Sequence, residues 1–194
     1  MKLHFEPNLD YQLQAIEAVC DLFRGQEICR TEFTVTMKVP APVDGDLSPG
    51  TQFEQITLGM AESDLGVGNR LTLLDDELLK NLEDIQLRGS LPPSGSLASG
   101  DFTVEMETGT GKTYAFIKTM YELNKLYGFK KFVVVVPSVA IREGAMKNLQ
   151  VTRSHFAEDY ANVPFVSVLY DSTKLNDLRH FAQSDALSVL VIAK

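Results

Sequence analysis

The sequence predicts an α/β fold, a parallel sheet flanked by helices, and three observations predict it. From Phe102 onward, short apolar runs alternate with amphipathic stretches. Strand–helix repeats of this kind produce a parallel sheet with helices on its faces. Lys131–Val136 is a near-continuous apolar run, which suits a strand buried on both faces. The glycine-containing turn from Glu107 to Thr113 stands between a short apolar run and a helical pattern, and this is where such folds bind phosphates.

The elements follow in order. Leu13, Ile16, Val19, Cys20 and Phe23 recur at helical spacing and predict a helix over Tyr11–Phe23, capped by Asn8 or Asp10 and ended by Gly25. Phe33–Val39 alternates and predicts a strand. The stretch 40–70 is rich in proline and glycine and reads as loops, with one more short strand at Gln55–Gly59. Leu71, Leu74, Leu78, Leu82 and Ile85 share one face of a helix over Leu71–Leu87, and 88–101 is a small-residue connector. Then come a strand at Phe102–Met106, a helix at Lys112–Tyr127, the strand at Lys131–Val136 and a helix at Ser138–Leu149 capped by Ser138. A strand at Phe165–Tyr170, a helix at Leu175–Phe181 and a strand at Ala186–Ala193 complete the rhythm. The expected organisation is an N-terminal helix within 1–30, an insertion over 31–100 and the α/β unit over 101–194. The chain stops at Lys194, directly at the end of a strand, which is an unexpected finish for a complete α/β domain.

Composition limits the function classes. The 194 residues carry a net charge of −8, with 44% hydrophobic and 23% charged residues. These are the proportions of an ordinary globular protein, not of a simple basic DNA-binding module. Cys20 and Cys29 match no zinc spacing, and a reduced, cytoplasmic setting is expected. No apolar run is long enough to cross a bilayer, and the N-terminus lacks a signal-peptide stretch. No membrane association is expected.

Phosphate chemistry is concentrated in Glu107, Thr108, Gly109, Thr110, Gly111, Lys112 and Thr113. A triphosphate needs positive potential without bulk. Gly109 and Gly111 let the backbone curl so that its N–H groups converge, and the helix that follows adds its N-terminal dipole. Lys112 is placed to reach the β- and γ-phosphates, and the Thr113 hydroxyl to ligate Mg²⁺. The strict pattern has glycine where this chain has Met106. The competing view is a chance glycine turn before a helix. Hydrolysis needs a further carboxylate on the metal. Asp75, Asp76 and Glu77 follow an apolar run but read as the acidic first turn of a helix. Asp171 ends an apolar run and reads as a turn residue or cap. The sequence therefore carries the binding half of a hydrolytic site, and no catalytic residue is assigned within it.

Three stretches together resemble superfamily 2 helicase motors, and most closely the restriction (Res) subunit of type III restriction–modification enzymes. Tyr11, Gln12, Leu13, Gln14, Ala15 and Ile16 resemble the glutamine motif. That likeness gives Gln12 the adenine edge, where an amide can donate and accept and so select ATP. Met106–Thr113 resembles motif I. Val133–Gly144 resembles motif Ia, which in this family contacts the DNA backbone, and Pro137, Ser138 and Arg142 fall within it. Val139 stands where the wider superfamily often has arginine. The long gap between Gln12 and Lys112 also resembles the Res branch. The resemblance implies a partial RecA-like P-loop domain, ATP and Mg²⁺ as cofactors, and double-stranded DNA and a modification methyltransferase subunit as partners. It implies ATP-dependent DNA translocation and endonucleolytic cleavage in the full-length protein. Motif II, a second lobe and a nuclease domain are expected beyond Lys194. Two other readings stand beside it, another superfamily 2 helicase or repair translocase and a non-catalytic nucleotide-binding module. His4, His155 and His180 have no metal spacing, Tyr114 and Phe116 read as core, Lys125, Lys130 and Lys131 as a solvated helix end, and Cys20 as a small buried hydrophobe.

Overall fold

The computed structural model describes residues 9–29 and 67–194. The strands expected at Phe33–Val39 and Gln55–Gly59, and the cap Asn8, lie outside the described residues. The elements are α1 (Asp10–Leu22), α2 (Asp75–Arg88), α3 (Lys112–Tyr127), β1 (Lys131–Val136), α4 (Val139–Asp159), β2 (Phe165–Leu169), α5 (Leu175–Gln183) and β3 (Leu187–Ala193).

The three strands form a parallel sheet in the order β1-β3-β2, with Phe132 opposite Val189 and Val166 opposite Ser188. The α/β expectation therefore holds. The chain crosses from β1 to β2 by way of α4 and returns to the middle by way of α5. Right-handed crossovers running in opposite directions place these two helices on opposite faces of the sheet. β3 is the strand buried on both faces: Leu187, Ser188, Val189 and Val191 are almost wholly covered.

That corrects the expectation for β1. It is an edge strand among the described residues, with Phe132 and Val134 packed on the core while Val133 is 55% and Val135 63% exposed. The reason is coverage: α4 and α3 lie over one face, whereas α5 packs on β2 and β3. The main core joins Tyr114, Ile117, Met120 and Tyr121 of α3 to Leu149 and Phe156 of α4 and to Val189 and Val191 of β3. Each large apolar side chain buried there is worth about 1.5–3 kcal/mol. A second cluster joins Ile16 and Cys20 of α1 to Ala115 and Leu123 of α3 and to Phe129.

Several boundaries move for local reasons. α1 starts on Leu9 with no side-chain cap, so Asp10 is not the cap and instead lies in the acidic first turn. α2 starts at Asp75, where the Glu77 carboxylate accepts from the Leu74 N–H at 2.9 Å. Leu71 and Leu74 precede the helix and are exposed. α4 runs ten residues beyond Leu149, because Thr152 and Phe156 continue the buried stripe. Residues 102–106 are not a strand. A strand requires a neighbour for its N–H and C=O groups, and no strand among the described residues pairs with this run.

Candidate nucleotide site

The phosphate turn grows out of two anchors. Met106, at the position where glycine was expected, packs partly buried against the α1–α3 cluster and ties the turn to the body of the protein. Beyond the turn, α3 begins at Lys112, with Gly111 as its N-cap in a left-handed conformation at φ +83°. The first N–H groups of a helix have no intrahelical acceptor, and their partial positive charge faces outward here. Only residues 128–130 separate α3 from β1. So short a link makes them antiparallel and sets the turn near the edge of the sheet where the strands end, the usual ligand edge of such folds.

Glu107, Thr108, Gly109 and Lys112 are exposed, and Thr110, Gly111 and Thr113 are half-buried. Lys112 is not sunk into protein. Its Nζ donates to the Glu107 carbonyl at 2.8 Å, which uses one of three ammonium protons and leaves two for an anion. The Thr110 hydroxyl donates to the same carbonyl at 2.7 Å. The turn is thus braced from within, with its lysine held over it. Thr113, the next residue of α3, presents the one hydroxyl that a Mg²⁺ ion needs when phosphates and waters supply the remaining ligands. The residues present fit that ion in this limited sense.

Gln12 lies on the first turn of α1, ninety-eight positions from Thr110, and is only 6% exposed. Its Nε2 donates to the Thr110 carbonyl at 2.7 Å. Because a carbonyl accepts only from the –NH₂ end, this contact fixes the orientation of the amide. Its Oε1 is buried without a hydrogen-bond partner. A buried orphan acceptor costs about 1–3 kcal/mol, so the site is poised for a donor. Gly111 permits the approach: a Cβ there would stand 2.6 Å from Gln12 Nε2.

Pro137 and Ser138 lie between β1 and α4, Pro137 exposed and Ser138 half-buried. Ser138 Oγ accepts from Ile141 N at a long 3.4 Å, so the cap is present. Arg142 spends Nη2 on the adjacent Glu143 at 3.1 Å, while its Nε is buried without a hydrogen-bond partner. These three residues sit at the end of β1, on the same sheet edge as the phosphate turn.

The remaining candidates fall elsewhere. Asp75, Asp76 and Glu77 form the acidic first turn of α2, as the sequence predicts. Asp171 follows β2 and accepts from Thr173 N at 2.9 Å and Thr173 Oγ1 at 2.6 Å. These bonds hold its carboxyl below the ordinary value. It borders a depression of ≈ 290 Å³ with Lys174, Asp177 and His180, whose lining includes none of the residues of the phosphate turn. His155 Nε2 pairs with Tyr114 Oη at 3.0 Å inside the core, and Cys20 is buried, its thiol pushed up to about 12 chiefly by burial. Among the described residues no three His, Cys, Asp or Glu side chains gather as a metal site, and no helix is long and apolar enough to cross a membrane. Sequence reasoning missed the carbonyls of Glu107 and Thr110 as acceptors, since backbone oxygens carry no residue-type signal.

A parallel sheet with a glycine-flanked phosphate turn opening a helix defines the class: a RecA-like P-loop domain. Residues 7–193 match the family described as Type III restriction enzyme, res subunit, and the chain belongs to that family. It is similar to the type III restriction-modification enzyme EcoP15I Res subunit of Escherichia coli, at 36% identity over 95 residues, covering 46% of this chain and 10% of that protein. The EcoPI Res subunit of Escherichia phage P1 is 36% identical over 99 residues, 48% of this chain and 10% of the relative. The StyLTI Res subunit of Salmonella typhimurium is 52% identical over 61 residues, 30% of this chain and 6% of the relative. The matched segments span a tenth or less of these curated relatives.

Proposed function

We propose that this chain is the ATP-binding portion of the helicase/translocase–nuclease subunit of a type III restriction enzyme. In the whole subunit it would serve ATP-dependent translocation on double-stranded DNA and endonucleolytic cleavage, together with a modification methyltransferase subunit. The division into an N-terminal helix (1–30), an insertion (31–100) and the first RecA-like lobe (101–194) is part of this reading.

The observation that carries the proposal is the Gln12 amide seated on the Thr110 carbonyl with its Oε1 unpartnered. An adenine edge offers an amino donor at N6 and an acceptor at N7. Gln12 has an acceptor in need of a donor and a second Nε2 proton beyond the one on Thr110. The base then lies against α1 while the phosphates lie over Gly109–Thr113. In this arrangement Lys112 reaches the β- and γ-phosphates, the backbone N–H groups of Thr108–Thr113 surround them, and Thr113 would hold Mg²⁺, which would offset the phosphate charge. The reading assigns binding to this chain and assigns it no hydrolytic residue.

Pro137, Ser138 and Arg142 are proposed for the DNA backbone. The orphaned Arg142 Nε and the N-terminus of α4 supply N–H donors of the kind that hold phosphate oxygens without reading sequence. The net charge of −8 confines any such contact to this local patch.

The test is calorimetric titration of ATP with Mg²⁺ into the chain and into Lys112→Ala. Loss of the ammonium from an exposed site is expected to weaken ATP at least tenfold, the scale of one charge-assisted hydrogen bond. Equal affinities would remove the phosphate role and the function built on it.

A further inference from the structure

Gln12 can read a base only if α1 holds it at a fixed height and rotation. The apolar cluster between α1 and α3 supplies adhesion, but such contact is non-directional and leaves sliding and axial rotation of a helix comparatively soft. Directional contacts at the far end of α1 remove that freedom. One is the Tyr127 hydroxyl, which donates to the Cys20 carbonyl at 2.9 Å. The others come from α2. Asn81 is 6% exposed, and its Nδ2 donates to the carbonyls of Leu22 at 3.1 Å and Arg24 at 2.8 Å. These lie at the C-terminus of α1, where carbonyls have no intrahelical donor. Its Oδ1 accepts from Arg24 Nη2 at 3.3 Å. Arg24 also binds Asp84 at 2.6 Å, and Arg88 pairs with Asp21. Every ring of this clamp joins α2 to the end of α1.

We propose that Asn81 is a positioning residue for Gln12, so that α2 sets the pose of the base-reading amide. This rests on the adenine role proposed for Gln12. Asn81 touches no nucleotide. It acts through a helix of thirteen residues that carries Gln12 at its other end, and a site must be held to within about half an ångström to work at full strength. α2 is thereby mechanically part of nucleotide recognition.

The experiment compares affinity for ATP and for inorganic tripolyphosphate, each with Mg²⁺, in the chain, Asn81→Ala, Gln12→Ala and the double variant. Tripolyphosphate has no base and reads the phosphate turn alone. Asn81→Ala is expected to weaken ATP about three- to tenfold, the worth of one hydrogen bond, and to leave tripolyphosphate unchanged. In the Gln12→Ala background the same substitution should have no effect on ATP, which is the non-additivity of residues acting as one unit. A second variant, Arg24→Met with Arg88→Met, removes both ion pairs and the bond to Asn81 Oδ1 but keeps the Asn81 Nδ2 bonds to the Leu22 and Arg24 carbonyls. It should give the same ATP-selective loss at about two- to threefold. Equal losses for ATP and tripolyphosphate, an unchanged ATP affinity, or a full effect of Asn81→Ala without Gln12 would each overturn the proposal. If Gln12→Ala itself leaves ATP binding intact, the adenine reading fails first and the positioning role falls with it.

Discussion

Gly111→Ala is the sharpest probe of the site, because two independent costs meet at one Cβ. The residue sits at φ +83°, a left-handed conformation that costs an L-residue roughly 1–2 kcal/mol. The added Cβ would also stand 2.6 Å from Gln12 Nε2, closer than two such atoms can approach. Gln12 is the flexible partner and must swing away, giving up its bond to the Thr110 carbonyl, worth about 1 kcal/mol. Together these come to about 2–3 kcal/mol, or about a 30- to 150-fold loss of ATP affinity. Gly109→Ala is the control. Its φ is +84°, but nothing lies within 4 Å of its Cβ, so only the backbone term applies, about 5- to 30-fold. Titration calorimetry with Mg²⁺–ATP gives both numbers, and thermal melts check that the fold survives. Equal losses in the two variants would refute the claim that Gln12 occupies the space above Gly111.

Two predictions concern the body of the protein. Phe156 is fully buried, with ring centroids 5.2 Å from Tyr114 and 5.1 Å from Tyr121. Phe156→Ala should cost about 3–5 kcal/mol in urea unfolding, and a loss under 1 kcal/mol would mean that this core is not the main one. Stability should also decline at alkaline pH. Burial raises the Cys20 thiol from 9.0 to about 12 and the Tyr121 hydroxyl from 10.0 to about 12, so the folded state holds these protons more tightly than the unfolded chain. Their contribution is complete below pH 9.0 and is lost as pH rises from there toward 12. Urea midpoints from pH 7 to 11 should fall above pH 9, with a later onset in Cys20→Ala, and a flat profile would contradict the burial of both groups.

What the sequence makes legible is local. The 3.6-residue stripes of α1 and α3 and the glycine–lysine turn are written in neighbouring residues, so α3 appears with the expected bounds. What it leaves illegible depends on partners far along the chain. Lys131–Val136 has the more continuous apolar run, yet Leu187–Ala193 takes the centre of the sheet, because order is decided by crossovers and not by hydrophobicity. Phe102–Met106 has strand-like composition and no strand beside it among the described residues. The extension of α4 was hidden because Thr152 and Phe156 alone carry the stripe through a polar stretch, with Arg153, Ser154 and His155 between them. Of the candidate site, Gln12 was legible only by resemblance, and Asn81 not at all. An asparagine in a helix reads as solvated until its amide is seen against the carbonyls of Leu22 and Arg24.

The contact between Gln12 and Thr110 implies that substitutions at positions 12 and 111 are coupled, and a double-mutant cycle measures this. In a Gln12→Ala background the obstacle above residue 111 is gone, and there is no bond left to break. Gly111→Ala then retains only the left-handed backbone cost, and its effect on ATP should shrink from about 30- to 150-fold to about 5- to 30-fold, the range expected of Gly109→Ala. The difference, about 1 kcal/mol of coupling, is of the size found for residues in direct contact. The cycle needs only four affinities for one ligand. Strict additivity would mean that the glutamine and the turn act independently, so that the 2.7 Å bond between them does not persist in the protein that binds nucleotide.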